Sequence, residues 1–172
     1  EFIIKNKKLI VAIGEVGLDL KEENLHKTLD KQKITLTKFV NLAIKLKKPV
    51  IVHSRKAELH TIELLESLNA KKVIMHCFSG KMSLVDRIVE NGWLLSIPAN
   101  IHYNQQFQDV VKRVPINNLL CETDSPYLHP LKEWPNEPAN VLYSYKKIAE
   151  IKGISLKEAE KEIENNFNKL FE

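Results

Sequence analysis

The short segment 118–126 combines an apolar run with two carboxylates, which are side chains of a type that binds cations. The apolar residues 119–121 predict a buried strand that ends at Glu122 and Asp124. Residues two apart on a strand share a face, so these acids are expected about 7 Å apart on one side of the sheet. Two such carboxylates repel unless a cation or a hydrogen-bond donor lies between them. The alternative is a strand end that frays into solvent, where exposed acids cost little.

Three more side chains of metal-binding types stand at the ends of apolar runs. Glu15, His53 and His76 each follow such a run, as Asp124 does. Imidazole and carboxylate groups are the ligands that Zn²⁺, Mn²⁺ and Mg²⁺ accept in proteins. A single histidine at a strand end is more often structural. Four metal-type side chains at four of the five predicted strand ends indicate instead a shared metal site.

The elements that would position these side chains alternate along the chain. Apolar runs predict strands, and the segments between them carry apolar residues near the helical period of 3.6, the first starting near Leu25. Strands that are apolar on both faces and alternate with helices favour a parallel α/β sheet, with functional side chains at the carboxyl ends of the strands. Two helices finish the chain, and a capping-box pattern from Ser155 to Glu158 begins the second. The predicted strands are 9–13, 50–53, 73–76, 93–97 and 119–121.

Composition narrows the class of protein. A chain of 172 residues that is 44% hydrophobic and 28% charged predicts one globular domain over residues 1–172. No apolar stretch approaches the length of a membrane span, and no signal-peptide pattern is present. The net charge of +4 is too small to indicate a nucleic-acid partner by itself. Cys77 and Cys121 lie in apolar runs, which predicts reduced thiols in a cytoplasmic protein.

Several sequence blocks resemble the signature motifs of the TatD family of metal-dependent deoxyribonucleases. The blocks occur in the family's order from about Val11 to the C-terminus. The resemblance implies a TIM-barrel, (β/α)8-type hydrolase of the amidohydrolase-like superfamily that holds two divalent ions, Mg²⁺, Mn²⁺ or Zn²⁺. It further implies cleavage of phosphodiester bonds in DNA, in the 3′-to-5′ direction and at single-stranded ends. The blocks are GEVGLD at Gly14–Asp19, VHSR at Val52–Arg55, HCFSG at His76–Gly80, ETDSPY at Glu122–Tyr127, NEP at Asn136–Pro138 and the ending at Asn165–Phe171.

The resemblance implies a role for each residue that matches a motif. Glu15 matches the carboxylate that bridges the two ions, and His53 and His76 match the ligands that complete one metal position. Asp124 matches a ligand of the other ion and would orient or deprotonate the attacking water. Metal binding brings the pKa of water near 7 in zinc sites, so a metal-activated water is available at neutral pH.

Residues beside the matched ligands leave alternatives open. Arg55 is predicted to bind substrate phosphate through two donors, or else to form a salt bridge at the rim of the barrel. Glu122 is predicted to belong to the catalytic site by orienting a ligand, or else to pair with a buried lysine. Tyr127 and Trp134 either stack on a nucleotide base or pack over the barrel mouth.

The remaining histidines and Cys77 are predicted to stay outside the chemistry. His26, His60 and His102 fall in helix or loop contexts that favour exposed side chains. His129 follows the last motif closely but is not expected to act in catalysis. The Cys77 thiol is expected to point away from His76 and to pack under a helix.

The chain also departs from the family's pattern. Family members begin with a strand that bears a His-x-His pair, which supplies ligands to the metal position of Asp124, and no such pair occurs here. By the family's layout about three βα units would precede Ile10, so the chain is expected to supply about five of eight units. Glu1–Ile4 then corresponds to the last turn of a helix. We expect upstream residues or a second copy to cover the open side, and this chain alone to bind at most one ion tightly.

Two other functions fit the same residues. One is a different amidohydrolase-like reaction on an ester, a lactone or an amide, and the other is a non-catalytic scaffold with an incomplete site. Many amidohydrolases carry a carboxylated lysine where Glu15 lies, so a carboxylate at this position favours the nuclease.

Overall fold

Five parallel strands alternate with helices in the structure, a computed structural model that describes residues 1–22 and 27–172. The predicted positions of Leu25 and His26 lie outside the described residues. Strands β1 to β5 span Ile13–Asp19, Val50–Arg55, Val73–His76, Leu94–Ile97 and Leu119–Cys121.

The helices cover the sheet through apolar stripes at helical spacing. In α2, Leu36, Val40 and Ala43 are buried at intervals of four and three residues. Ser155 and Glu158 form the predicted capping box at the start of α7, which confirms this helix boundary. No helix among the described residues is long and apolar enough to span a membrane. Helices α1 to α7 span Phe2–Lys5, Leu29–Leu46, Glu58–Ser67, Met82–Glu90, Gln105–Arg113, Val141–Lys152 and Leu156–Phe171.

The strands follow one another in the sheet in the order of the sequence, from β1 to β5, and every pairing is parallel. This confirms the predicted parallel α/β arrangement. One row of paired residues, one from each strand, faces the helices, and its four members after Val16 are completely buried. The row consists of Val16, Val52, Met75, Leu95 and Leu119.

The next residue along each strand points to the opposite face, because side chains alternate along a strand. Gly17 pairs with His53, and His76 pairs with Ser96, which pairs in turn with Leu120. The backbones of β1 and β2 approach so closely that a Cβ atom on Gly17 would lie 1.9 Å from the carbonyl oxygen of His53. Because Val52 pairs with Met75, the residues that follow them, His53 and His76, lie at the same height on the inner face of the sheet.

The prediction for the first strand is wrong. It placed the strand at 9–13, but Leu9 and Val11 are 82% and 68% exposed, and β1 begins only at Ile13. Leu9 belongs instead to a turn in which its N–H donates to the carbonyl of Asn6 at 2.8 Å. Glu15 consequently lies inside β1, at an irregularity in the pairing with β2, and not beyond the end of a strand.

Candidate metal centre

Three neighbouring strands bring Glu15, His53 and His76 together on the inner face of the sheet. One ligand atom from each of these residues lies within 4.8 Å of the other two. The rings of the two histidines have centroids 6.3 Å apart, as their positions on paired strands require. A carboxylate and two imidazoles at this spacing match the donor types that divalent transition metals accept.

His53 is held from both sides of its ring. Its Nδ1 lies 3.0 Å from an oxygen of Glu15, and its Nε2 lies 3.2 Å from Oδ2 of Asp19. The same Oδ2 accepts from Nε and Nη2 of Arg55 at 2.9 and 2.5 Å. Burial acts to raise the pKa of Asp19, but hydrogen bonds, chiefly from Arg55, outweigh it and lower the pKa to about 2. Asp19 is therefore a permanent carboxylate that fixes the orientation of His53.

His76 is enclosed by three carboxylates. Its Nδ1 lies 2.5 Å from Oε2 of Glu122, whereas its Nε2 lies 3.5 Å from Glu15 and 3.6 Å from Asp124. Burial lowers the pKa of His76, but the hydrogen bonds to Asp124 and Glu122 outweigh it and raise the pKa to about 10. The surroundings of Nε2 are thus strongly negative, and they favour a cation at this position.

Glu122 is the most buried acid around His76. Its Oε2 accepts from Oγ of Ser96 at 2.8 Å as well as contacting His76. Burial raises the pKa of the Glu122 carboxyl, although His76 acts in the opposite direction. Its Oε1 is buried and has no hydrogen-bond partner among the residues that the structure describes. Within residues 1–22 and 27–172 no lysine pairs with Glu122, because the partners of its Oε2 are His76 and Ser96.

Asp124 reaches the centre from a loop and not from a strand. Strand β5 ends at Cys121, and Asp124 has the left-handed backbone angle φ = 57°, which aspartate tolerates better than most residues. The expectation that Glu122 and Asp124 share one face of a strand is therefore wrong. The two acids converge instead on opposite nitrogens of the His76 ring.

A cavity of about 190 Å³ opens beside these ligands, lined by His53, Arg55, His76, Cys77 and Asp124 among others. Burial raises the pKa of the Cys77 thiol, so a reactive thiolate does not form there at neutral pH. A larger cavity of about 600 Å³ lies on the same face of the sheet but is lined mainly by apolar side chains. The smaller cavity is the one that the candidate ligands His53, His76 and Asp124 line.

The residues present fit a divalent metal ion. Glu15, His53 and His76 can each turn one donor atom toward a common point, and Asp124 lies next to His76 Nε2. The ring nitrogens that point away from this common point are Nε2 of His53, which contacts Asp19, and Nδ1 of His76, which contacts Glu122. Such carboxylate partners behind metal-binding histidines fix the tautomer and the ring orientation.

The four predicted ligands and Glu122 thus lie in one cluster, while Arg55 lies at its edge in an ion pair with Asp19. Asp19 and Ser96 also belong to this cluster, but they were not predicted from the sequence. Asp19 stands four residues after Glu15 and two after Gly17, so alternation along β1 could have placed it on the ligand face. Ser96 gave no such signal, because it lies in an apolar strand and its role depends on pairing with His76.

His60, His102 and His129, the other histidines among the described residues, lie outside the cluster. His60 and His102 are exposed, as expected. The His129 side chain is 11% exposed, and its Nδ1 accepts from the backbone N–H groups of Leu131 and Glu133 at 3.1 and 3.3 Å. His129 therefore organises a loop.

Replacing Asp19 by Asn tests whether the carboxylate behind His53 supports the metal site. The amide keeps the shape but removes the charge that orients the imidazole, so we expect metal affinity to fall about tenfold. Calorimetric titration with Mn²⁺ measures the affinity. Asp86→Asn is the matched control, because Asp86 also pairs with an arginine, Arg113, but far from the cluster. Equal affinity in the Asp19→Asn variant and the unaltered protein would show that Asp19 only pairs with Arg55.

A parallel α/β fold that brings carboxylates and imidazoles together on the inner face of its sheet defines a candidate metal-binding protein. A family model described as TatD related DNase matches residues 2–172, and the chain belongs to this family. The match confirms the resemblance in the sequence motifs.

Individual relatives agree with this assignment. Human "Deoxyribonuclease TATDN3" is 41% identical over 98% of this chain and 63% of its own length. "Uncharacterized metal-dependent hydrolase MJ1582" of Methanocaldococcus jannaschii is 35% identical over 98% of this chain and 66% of its own length. The chain thus spans less than two thirds of the length of these relatives.

Among solved structures, the TatD homologue YJJV of Escherichia coli K12 superimposes with a TM-score of 0.91 at 26% identity. The match covers 99% of this chain and 67% of that chain. A TatD family hydrolase from Entamoeba histolytica is 24% identical with a TM-score of 0.78, over 98% of this chain and 65% of its own. These likenesses confirm the TIM-barrel fold class, to which the chain contributes five βα units.

Proposed function

We propose that Glu15, His53, His76 and Asp124 hold divalent metal and that the protein uses it to hydrolyse phosphodiester bonds in DNA. The observation that carries the proposal is the convergence of ligand atoms from Glu15, His53 and His76 within 4.8 Å of one another. Asp124 adds a fourth donor 3.6 Å from His76 Nε2. Membership of a family described as TatD related DNase supports DNA as the substrate.

The ions we propose are Mg²⁺, Mn²⁺ or Zn²⁺, with two in the complete enzyme. When bound, divalent metal supplies Lewis acidity that stabilises charge on the phosphate and lowers the pKa of water. The chain's own contribution is to hold the ligands in place before substrate arrives. Asp19 does so for His53, and Glu122 does so for His76, each through the ring nitrogen that faces away from the ligand cluster.

Asp124 is the residue we propose for handling the attacking water. Its side chain is 33% exposed, more than His76 or Glu122, and it lines the cavity beside the ligands. A carboxylate in contact with solvent at this point can accept a hydrogen bond from water, orient it, and take its proton as the phosphodiester bond is attacked.

Arg55 is proposed to bind a phosphate of the substrate. Arginine carries five N–H donors, and the bonds to Asp19 use those on Nε and Nη2. The side chain is 51% exposed and lines the cavity, so its guanidinium lies where a substrate phosphate would enter. The ion pair with Asp19 fixes the orientation of the guanidinium, which reduces the entropy lost when phosphate binds.

We further propose single-stranded DNA ends as the substrate and 3′-to-5′ removal of nucleotides as the reaction. The family resemblance of the motifs supports this direction, and the small size of the cavity fits one phosphate group more readily than a duplex. A cytoplasmic location stays a prediction that follows from the two free cysteines.

Incubating the complete protein with end-labelled single-stranded DNA tests the proposal. We expect a 5′-labelled strand to shorten progressively when Mg²⁺ or Mn²⁺ is present, and to remain intact after EDTA is added. His53→Gln should abolish the reaction, whereas His60→Gln, a matched change at an exposed histidine, should leave it unchanged.

Three results would decide against the proposal. Cleavage that continues unaltered in EDTA would exclude a mechanism that depends on divalent metal. Inertness toward DNA combined with metal-dependent cleavage of an ester, a lactone or an amide would assign the cluster to a different amidohydrolase-like reaction, and metal binding with no hydrolysis at all would indicate a scaffold.

A further inference from the structure

Two large aromatic side chains stand exposed on the loop that follows Asp124. Tyr127 and Trp134 are 60% and 68% exposed, and their ring centroids lie 5.6 Å apart at an interplanar angle of 56°. They contact each other and leave most of their surface in solvent, so they do not pack over the mouth of a barrel in the described part of the chain. Exposed aromatic surface of this kind commonly marks a binding site.

The backbone that carries these rings is held by a buried asparagine. Asn136 is 4% exposed, and its side-chain amide donates to the carbonyls of Thr123 and Tyr127 at 2.9 and 2.6 Å. Its backbone N–H donates to the carbonyl of Pro126 at 2.9 Å. These bonds fold the loop back on itself, so Trp134 is brought next to Tyr127.

A second anchor lies between the two aromatic residues. The ring of His129 accepts from the N–H groups of Leu131 and Glu133, which shapes the stretch leading to Trp134. The rings are therefore mounted on a loop tied at two points. A surface ordered in advance loses little conformational entropy when it binds a ligand.

The aromatic pair adjoins the metal centre. The N–H of Tyr127 donates to the carbonyl of Asp124 at 2.9 Å, and Leu128 lines the cavity that contains the metal ligands. Charges near the pair are mixed, since the loop carries Lys132, with Nζ 4.7 Å from the centre of the Tyr103 ring, and the exposed Glu133. Binding at the pair must therefore come mainly from the rings and not from charge.

We propose that Tyr127 and Trp134 form a platform on which unpaired bases of a single-stranded DNA end stack while the strand enters the metal centre. Every nucleobase offers a π-face, so a pair of exposed rings can bind bases of any sequence. In a duplex the same faces are covered by neighbouring bases. The platform therefore explains how one site could select single-stranded over double-stranded ends, and it rests on the proposed nuclease function.

Tryptophan fluorescence provides a direct readout, because the chain has two tryptophans and only one of them is exposed. Trp93 is 1% exposed, and its Nε1 donates to the carbonyl of Ala70 at 2.9 Å. In the complete protein, the emission of Trp134 is the difference between a Trp93→Phe variant and the same variant that also carries Trp134→Phe. With Mg²⁺ and phosphorothioate strands that resist cleavage, we expect a single strand to quench this emission, and an abasic strand or a blunt duplex to leave it nearly unchanged.

Binding measurements give a second, independent readout. Trp134→Leu keeps an apolar side chain but removes the π-face, so single-strand affinity should fall about tenfold while duplex affinity stays the same. Trp134→Phe should restore most of the loss. Because the ring is exposed, neither change should shift the thermal unfolding midpoint, which checks that the fold is intact.

The platform is excluded if base-bearing and abasic strands change the Trp134 emission equally, or if Trp134→Leu binds single strands as tightly as the unaltered protein does. These outcomes are separate from a failure of the nuclease proposal. Metal-dependent cleavage without base-dependent quenching overturns the platform alone, whereas base-dependent quenching in a protein that cleaves no DNA supports the platform and overturns the nuclease.

Discussion

An Asp124→Asn variant of the complete protein is expected to hydrolyse DNA at least about a hundredfold more slowly than the unaltered protein. Asparagine fills the same space but carries no charge. It can neither neutralise divalent metal beside His76 Nε2, 3.6 Å away, nor accept a proton from the attacking water. The rate of nucleotide release from single-stranded DNA at saturating metal measures the effect.

A control change at another aspartate, Asp109, shows whether the loss of rate is specific to Asp124. Asp109 lies exposed on α5, where it bonds Gln105 and Lys112, and Asp109→Asn should leave the rate unchanged. If the Asp124→Asn variant kept most of its activity, Asp124 would be a solvated acid at the end of the sheet and not a member of the catalytic centre.

Glu122→Gln is expected to weaken metal binding by up to about a hundredfold, because Glu122 is the carboxylate behind His76. The amide can still accept from His76 Nδ1 and from Ser96, so the packing is preserved while the negative charge is lost. The imidazole then becomes a weaker donor through its other nitrogen. Calorimetric titration of the metal-free protein with Zn²⁺ or Mn²⁺ gives the affinity.

Glu90→Gln, at the exposed end of α4, serves as the control for removal of a glutamate charge. A purely structural role for Glu122 would lower the unfolding midpoint of the metal-free protein and leave the metal affinity of the folded fraction unchanged. That result would contradict a role in orienting His76.

Much of the fold was predictable because its signals are local. Strands such as 73–76 and 119–121 match β3 and β5 as predicted, since apolar runs bounded by polar residues leave few other positions for a strand. The run at 9–13 carried the same local signal but does not form the strand. The start of β1 is set by strand pairing, since the first pair joins Ile13 to Val50. The local sequence carries no information about that partner.

The metal centre was also only partly predictable from the sequence. Its candidate ligands were predictable as residue types that follow apolar runs, and the resemblance of the motifs supported their roles. Asp19 and Ser96 were not predictable, because their contacts are with His53 and Glu122, which lie 34 and 26 residues away in the sequence. For Asp124 the expected position on the same strand face as Glu122 was wrong, since a left-handed backbone in a loop directs it to His76.

Gly17 makes the protein sensitive to inherited changes that alter none of the proposed metal ligands. Any other residue there would place its Cβ 1.9 Å from the His53 carbonyl oxygen, an atom that no side-chain rotation can move aside. The two strands would have to separate, and Glu15 and Asp19, which lie two residues on either side of Gly17, would move away from His53. A missense variant at position 17 should therefore be classed with the loss of a ligand, even though glycine itself has no side chain to contribute.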